Sequence, residues 1–167
     1  MKKWLFRGAL VFFLFLAFLQ WALPLLSPRT SHLSLDQRSY VIAAYGCSLL
    51  SGINPSVFER QIWQESGFRA DAVSSAGAQG IAQFMPSTAR AHGVDVSNPL
   101  SSLCGAARLD ASYLHTYQGN YAKMLGAYNA GPGRVDWAMS QGGASWCAFL
   151  PAETQQYILN ILLEPCS

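Results

Sequence analysis

Glu65 is the residue of this chain best placed to do chemistry. It lies near the end of a stretch, Pro55 to Ser66, whose apolar side chains recur at helical spacing. Phe58, Ile62 and Glu65 stand at i, i+4 and i+7, on one face. A carboxylate among apolar neighbours is costly to keep charged, so its pKa should rise. Gly67 reads as the helix stop, which puts Glu65 in the last turn, where the helix dipole also disfavours negative charge. A carboxyl group still protonated near neutral pH is what a general acid requires. A solvated residue at a helix end would show the same spacing, and the spacing alone leaves the two readings level.

The residues that follow break the tie. Glu65-Ser66-Gly67-Phe68 leads to Ala72-Val73-Ser74 and then to Gly77-Ala78-Gln79-Gly80-Ile81-Ala82-Gln83-Phe84-Met85-Pro86. Further on come Gly126-Ala127-Tyr128-Asn129-Ala130-Gly131-Pro132-Gly133-Arg134-Val135 and Glu153-Thr154-Gln155-Gln156-Tyr157-Ile158. In this order the blocks resemble the lysozyme-like lytic transglycosylases of the soluble-lytic-transglycosylase type, over roughly residues 54–158. A lone Glu-Ser pair carries no such signal; ordered blocks do. The resemblance implies a mainly α, lysozyme-like single domain with a substrate groove between lobes.

It also implies a reaction. The substrate would be peptidoglycan glycan strands, cut at the MurNAc-GlcNAc β-1,4 bond with closure of a 1,6-anhydro ring. Glycoside cleavage usually takes two carboxylates, and here a second is hard to find. Asp71 lies six residues past Glu65, beyond the helix stop, and suits a loop cap better. Asp95, Asp110 and Asp136 lie outside the blocks, and Glu153 opens a helix whose N-terminal dipole it suits. A single acid fits the implied chemistry. Glu65 protonates the glycosidic oxygen and then, as a base, takes a proton from the sugar's 6-hydroxyl.

The other motif positions carry over one at a time. Gln83 matches the family glutamine that contacts the sugar backbone, and Ser74 and Met85 match groove-lining positions. Tyr128 and Asn129 match the cleft wall. Tyr157 matches the aromatic whose hydroxyl points at the catalytic glutamate, and Ser66 is carried by the Glu-Ser pair. Without the resemblance, Tyr157 would be read as core and Ser66 as a hydroxyl bonded to nearby backbone. The family's Gly-Leu-Met-Gln is here Gly80-Ile81-Ala82-Gln83. That departure puts packing or sugar selectivity beside the cleft in question. Two rival readings stay open: a hydrolase of the goose-type lysozyme kind, and a non-catalytic glycan-binding assembly protein.

The elements that must position these groups follow from local signals. Ser34-Leu35-Asp36-Gln37 has the capping-box form and opens a helix, with Tyr40, Ala43, Ala44, Cys47 and Leu50 as its expected buried stripe. Asn54-Pro55 and Asn98-Pro99 each pair an N-cap with a proline at the first helical position. Residues 69–80 read as a loop or short strands. Helices are expected from Pro86 to His92, from Asn98 to Gly119, from Tyr121 to Asn129, from Arg134 to Gln141 and from Pro151 to Glu164.

Composition sets the compartment. Lys2, Lys3 and Arg7 precede an apolar run, Gly8 to Leu26, broken only by Gln20 and Pro24. This is the pattern of a signal-anchor, with a cleaved signal peptide as second choice. Residues 1–27 would then hold the chain in the inner membrane, 28–33 form a linker, and 34–167 the domain on the outer side. With those three basic residues set aside, eight Lys/Arg face nine Asp/Glu. The net charge of +2 therefore resides in the leader, which argues against a nucleic-acid partner. Four cysteines, Cys47, Cys104, Cys147 and Cys166, suggest two disulfides in an oxidising compartment, with three pairings open. The expected pairs are Cys47–Cys104, on two apolar helix stripes, and Cys147–Cys166, bracketing the last helix. No cysteine or histidine spacing forms a metal motif, and neither metal nor cofactor is expected. The family's small members serve wall turnover, secretion or conjugation apparatus, and phage. The sequence leaves these settings open.

Overall fold

In the computed structural model, residues 33–166 are described. Among them run α1 (Leu35–Leu50), α2 (Pro55–Ser66), α3 (Pro86–Ala91), α4 (Pro99–Thr116), α5 (Tyr121–Ala130), α6 (Pro132–Gly142), a 3₁₀ segment (Gly143–Phe149) and α7 (Ala152–Leu162). The described residues contain no strand, only isolated antiparallel bridges pairing Val73 with Gln79 and Gln79 with Phe84. The mainly α reading therefore stands. The expected membrane segment, and all of the expected linker but Leu33, lie outside the described residues. Among the described residues, no helix is long and apolar enough to cross a membrane.

The helix starts are local chemistry. Ser34 and Gln37 exchange side-chain-to-backbone hydrogen bonds at 2.9 and 3.2 Å, the reciprocal capping box. Asn54 accepts from Ser56 N–H and Val57 N–H, and Asn98 accepts from Leu100 N–H and Ser101 N–H. Proline follows each, at a position whose N–H would have no helical partner.

Residues 39–167 form one compact unit. Its core is built around α5, which packs against α4, α6 and α7, while α7 also packs against α2. Phe58, Ile62, Leu103, Met124, Leu125, Val135, Ile158 and Ile161 are fully buried there. Gly126 lets the helices close: a Cβ at that position would stand 3.2 Å from Val135 Cγ2 and 3.7 Å from Ile158 Cδ1.

Helix α1 departs from its expected stripe. Val41, Ala44, Cys47 and Ser48 face inward, whereas Leu50 is 90% exposed. A disulfide joins Cys47 to Cys104 of α4 and fixes which side of α1 faces in. Leu50, in the last turn, is carried away from that side. The second disulfide joins Cys147 to Cys166 across α7. Sequence separations of 57 and 19 residues correspond, in the chain-entropy account, to about 4 and about 3 kcal/mol of stabilisation. Paired Cys→Ser substitutions are therefore expected to lower the unfolding free energy, the Cys47/Cys104 pair more than the Cys147/Cys166 pair. Equal losses in denaturant titration would contradict that ordering.

Candidate active site

The site begins where α2 ends. Gly67 caps the helix at φ 60° with its N–H on the Trp63 carbonyl, and Phe68 follows at φ 60° with its ring buried. Two successive left-handed residues turn the chain sharply away just after Glu65. Ser66 is buried, and its hydroxyl donates to the Ile81 carbonyl at 2.6 Å, tying the helix end to the next loop. It is absent from the groove lining, and its hydroxyl is engaged with the loop.

That loop is shaped by residues of the Gly-Ile-Ala-Gln block. Gly80 sits at φ 75° and donates to the Ala72 carbonyl at 2.8 Å. A Cβ there would lie 2.5 Å from the Val96 carbonyl oxygen, so both the conformation and the space require glycine. Gln83 holds φ 50°, uncommon for a residue with a side chain. Its Nε2 donates to the carbonyls of Ala72 and Gly80, at 3.1 and 2.8 Å. Its amide nitrogen is thus committed to the loop, and the carbonyl end is what remains for the groove. Ala82 is fully buried and outside the groove lining. Its carbonyl accepts the Tyr128 hydroxyl at 2.7 Å. The departure from the family pattern at this position is therefore absorbed behind the cleft wall.

Helix α7 supplies the remaining face. The Tyr157 hydroxyl donates to Glu65 Oε1 at 2.5 Å across 92 positions of sequence. One turn earlier, Thr154 donates to Asn129 Oδ1 at 2.8 Å, linking α7 to the end of α5. A groove of about 660 Å³ runs between these elements. It brings together Glu65, Ser74, Gln83, Met85, Tyr128, Asn129 and Tyr157, every expected site residue except Ser66. Ser74 also accepts from Ala78 N–H at 3.0 Å, so it shapes the turn as well as the wall.

Residues given no role of their own in the sequence reading also line the groove, Gln64 and Gln156 from beside the motif residues and Asn160 and Tyr113 from outside the blocks. Gln64, Gln156 and Asn160 form an amide rim, with Asn160 donating to Gln64 at 3.4 Å. Tyr113 reaches the groove from α4. The signal that could have found it is weak: a tyrosine three residues past Asp110 on a helix otherwise read as core.

The electrostatics centre on Glu65. Removal from water pushes its pKa up to about 7, and the Tyr157 hydrogen bond partly offsets this. The groove lining contains no Lys, Arg or His to pull it back down, and its other acid is Glu153, at the start of α7. Burial and the neighbouring Glu65 charge push the Tyr157 phenol up, so it stays a donor. Asp71 is exposed and outside the lining. Among the described residues, no group of three His, Cys, Asp or Glu side chains is placed to hold a metal ion.

The sequence profile described as "Transglycosylase SLT domain" matches residues 40–145, more than half of the chain. The chain belongs to the transglycosylase SLT domain family. It is 32% identical over 111 residues to membrane-bound lytic murein transglycosylase D of Escherichia coli strain K12, covering 59% of this chain and 25% of that protein. It is 30% identical over 124 residues to peptidoglycan transglycosylase gp16 of Escherichia phage T7, covering 67% of this chain and 9% of that protein. Among solved structures, an inactive Glu-to-Gln mutant of lytic transglycosylase Slt from Pseudomonas aeruginosa superposes with a TM-score of 0.60 at 28% identity. The match covers 80% of this chain and 23% of that one. The chain thus spans a quarter or less of the length of these relatives.

Proposed function

We propose that this chain is a peptidoglycan lytic transglycosylase that cuts the MurNAc-GlcNAc β-1,4 bond and releases 1,6-anhydro-MurNAc ends, with Glu65 as its sole general acid and base. The observation that carries the reading is a carboxyl at the groove whose pKa is raised to about 7 and whose oxygen accepts the Tyr157 hydroxyl, while the groove's other acid, Glu153, stands at the start of α7. Glu65 gives its proton to the glycosidic oxygen. Tyr157 then donates to the carboxylate that forms, which lowers the energy of the step. The carboxylate next takes the proton of the sugar's own 6-hydroxyl, whose oxygen closes on the anomeric carbon. Gln83, Tyr128, Asn129 and the amide rim suit a hydroxyl- and amide-rich strand.

The names of the relatives support a murein substrate. The disulfides suit an extracytoplasmic domain. Residues 1–27 would supply the tether, 28–33 the linker and 34–167 the catalytic domain. A processed N-terminus near residue 28 would replace the tether by a cleaved signal.

Mass spectrometry of muropeptides released from purified sacculi tests the reaction. Anhydro ends are expected. Reducing ends would assign a hydrolase, and strand binding without release would assign a non-catalytic role. Activity should also fall as pH rises through about 7, because the first step needs Glu65 protonated. A rate that stays level well above that pH would show that another group donates the proton.

A further inference from the structure

Behind Glu65 lies a second carboxyl group that the chemistry above does not use. Asp110 of α4 and Gln61 of α2 are both fully buried. Gln61 precedes Glu65 by four residues, one helical turn. Its Nε2 donates to Asp110 Oδ1 at 3.2 Å. Gln61 Oε1 and Asp110 Oδ2 are left buried without a hydrogen-bond partner. If Asp110 is ionised, both leftover atoms are acceptors, and neither can satisfy the other. A proton on Oδ2 makes that oxygen a donor.

We propose that Asp110 is a neutral carboxylic acid that closes a two-bond ring with the Gln61 amide, and that this uncharged pair pins the turn of α2 that bears Glu65. The bonds are Gln61 Nε2–H to Asp110 Oδ1 and Asp110 Oδ2–H to Gln61 Oε1. Asp110 is thus a positioning residue. Its bearing on catalysis rests on the function proposed above, whereas the pairing itself does not.

The surroundings agree. The titratable groups that act on Asp110 or are acted on by it are Glu65 from α2, Tyr113 from α4, Tyr128 from α5 and Tyr157 from α7. None is a cation, so a charge on Asp110 would lack compensation, which is costly in an interior. Burial drives the Asp110 carboxyl well up, the Gln61 bond offsets part of that, and a charged Glu65 raises it further. A neutral Asp110 adds no charge beside Glu65 and leaves its pKa near neutrality.

The test uses the full chain labelled with ¹³C at aspartate carboxyls, the Asp110 signal being assigned by its loss in Asp110→Asn. At about pH 6, where an ordinary aspartate is ionised, that signal is expected to hold the protonated position. A carboxylate position at about pH 6 would overturn the proposal. Kinetics add a second readout. Asp110→Leu leaves Gln61 without a partner and is expected to lower kcat by about tenfold or more. Asp110→Asn, which reproduces the donor and the acceptor, is expected to restore kcat to within about threefold of wild type. The alkaline midpoint in Asp110→Asn should match that of the wild type. A downward shift of about one unit there would mean that a negative charge had been removed, and would overturn the proposal. So would a fully active Asp110→Leu. The NMR readout needs no activity, so a chain that releases no glycan product would sink the proposed function and leave the pairing to be decided by the spectrum.

Discussion

Glu65→Gln is expected to lower glycan cleavage by at least about 100-fold, because the amide keeps the shape of the side chain but cannot donate a proton. Release of muropeptides from sacculi measures the loss. If more than a few per cent of the activity remained, the proton would have to come from elsewhere, and Glu153 is the other acid lining the groove. Stability should move the other way. The folded-state pKa of Glu65 lies near 7, above the ordinary value of 4.5. Folding therefore favours the protonated form. That contribution is fully present below about 4.5 and is lost as pH rises through about 7. The lost amount is roughly 3 kcal/mol. Glu65→Gln carries no such charge. It should match the wild type in strongly acidic solution and unfold at higher denaturant above neutral pH. Equal stability at alkaline pH would show that Glu65 ionises without cost, and so is not desolvated.

Tyr157→Phe is expected to reduce kcat by roughly 10- to 150-fold, the equivalent of losing a hydrogen bond worth about 1.5–3 kcal/mol to an ionisable group. The ring and its packing remain, so the fold should be little disturbed. The pH profile supplies the sharper signature. The Tyr157 hydroxyl favours the carboxylate form of Glu65 and holds its pKa down. Removing it should raise that pKa and carry the alkaline limb to higher pH even as the maximal rate drops. Full activity in Tyr157→Phe, together with unfolding in Tyr157→Ala, would make Tyr157 a packing residue alone.

The α-helical character and the helix starts were legible in the sequence because their determinants are local. The Ser34–Gln37 box and the Asn54 and Asn98 caps satisfy N–H groups within three residues of themselves. Gly67 ends α2 by its own left-handed backbone. The ordered blocks marked most of the groove lining for the same reason: each is a short segment with its own turn chemistry. Pairings between segments were legible only in part: the two disulfides were expected and the family resemblance implied that Tyr157 faces Glu65, whereas the Tyr128–Ala82 and Gln61–Asp110 contacts were not foreseen. Glu65 meets Tyr157 over 92 positions, Tyr128 meets Ala82 over 46, and Gln61 meets Asp110 over 49. Each depends on how helices rotate and pack, which no run of residues specifies alone. The same cause explains two side-chain orientations. Ser66 points into the loop and Leu50 out to solvent because neighbouring elements settle which side of a helix end is inside. Asp110 read as one acid among several, outside every motif. Packing against Gln61 gives it a buried hydrogen-bond neighbour on the helix that bears Glu65, and that juxtaposition exists only once the chain has folded.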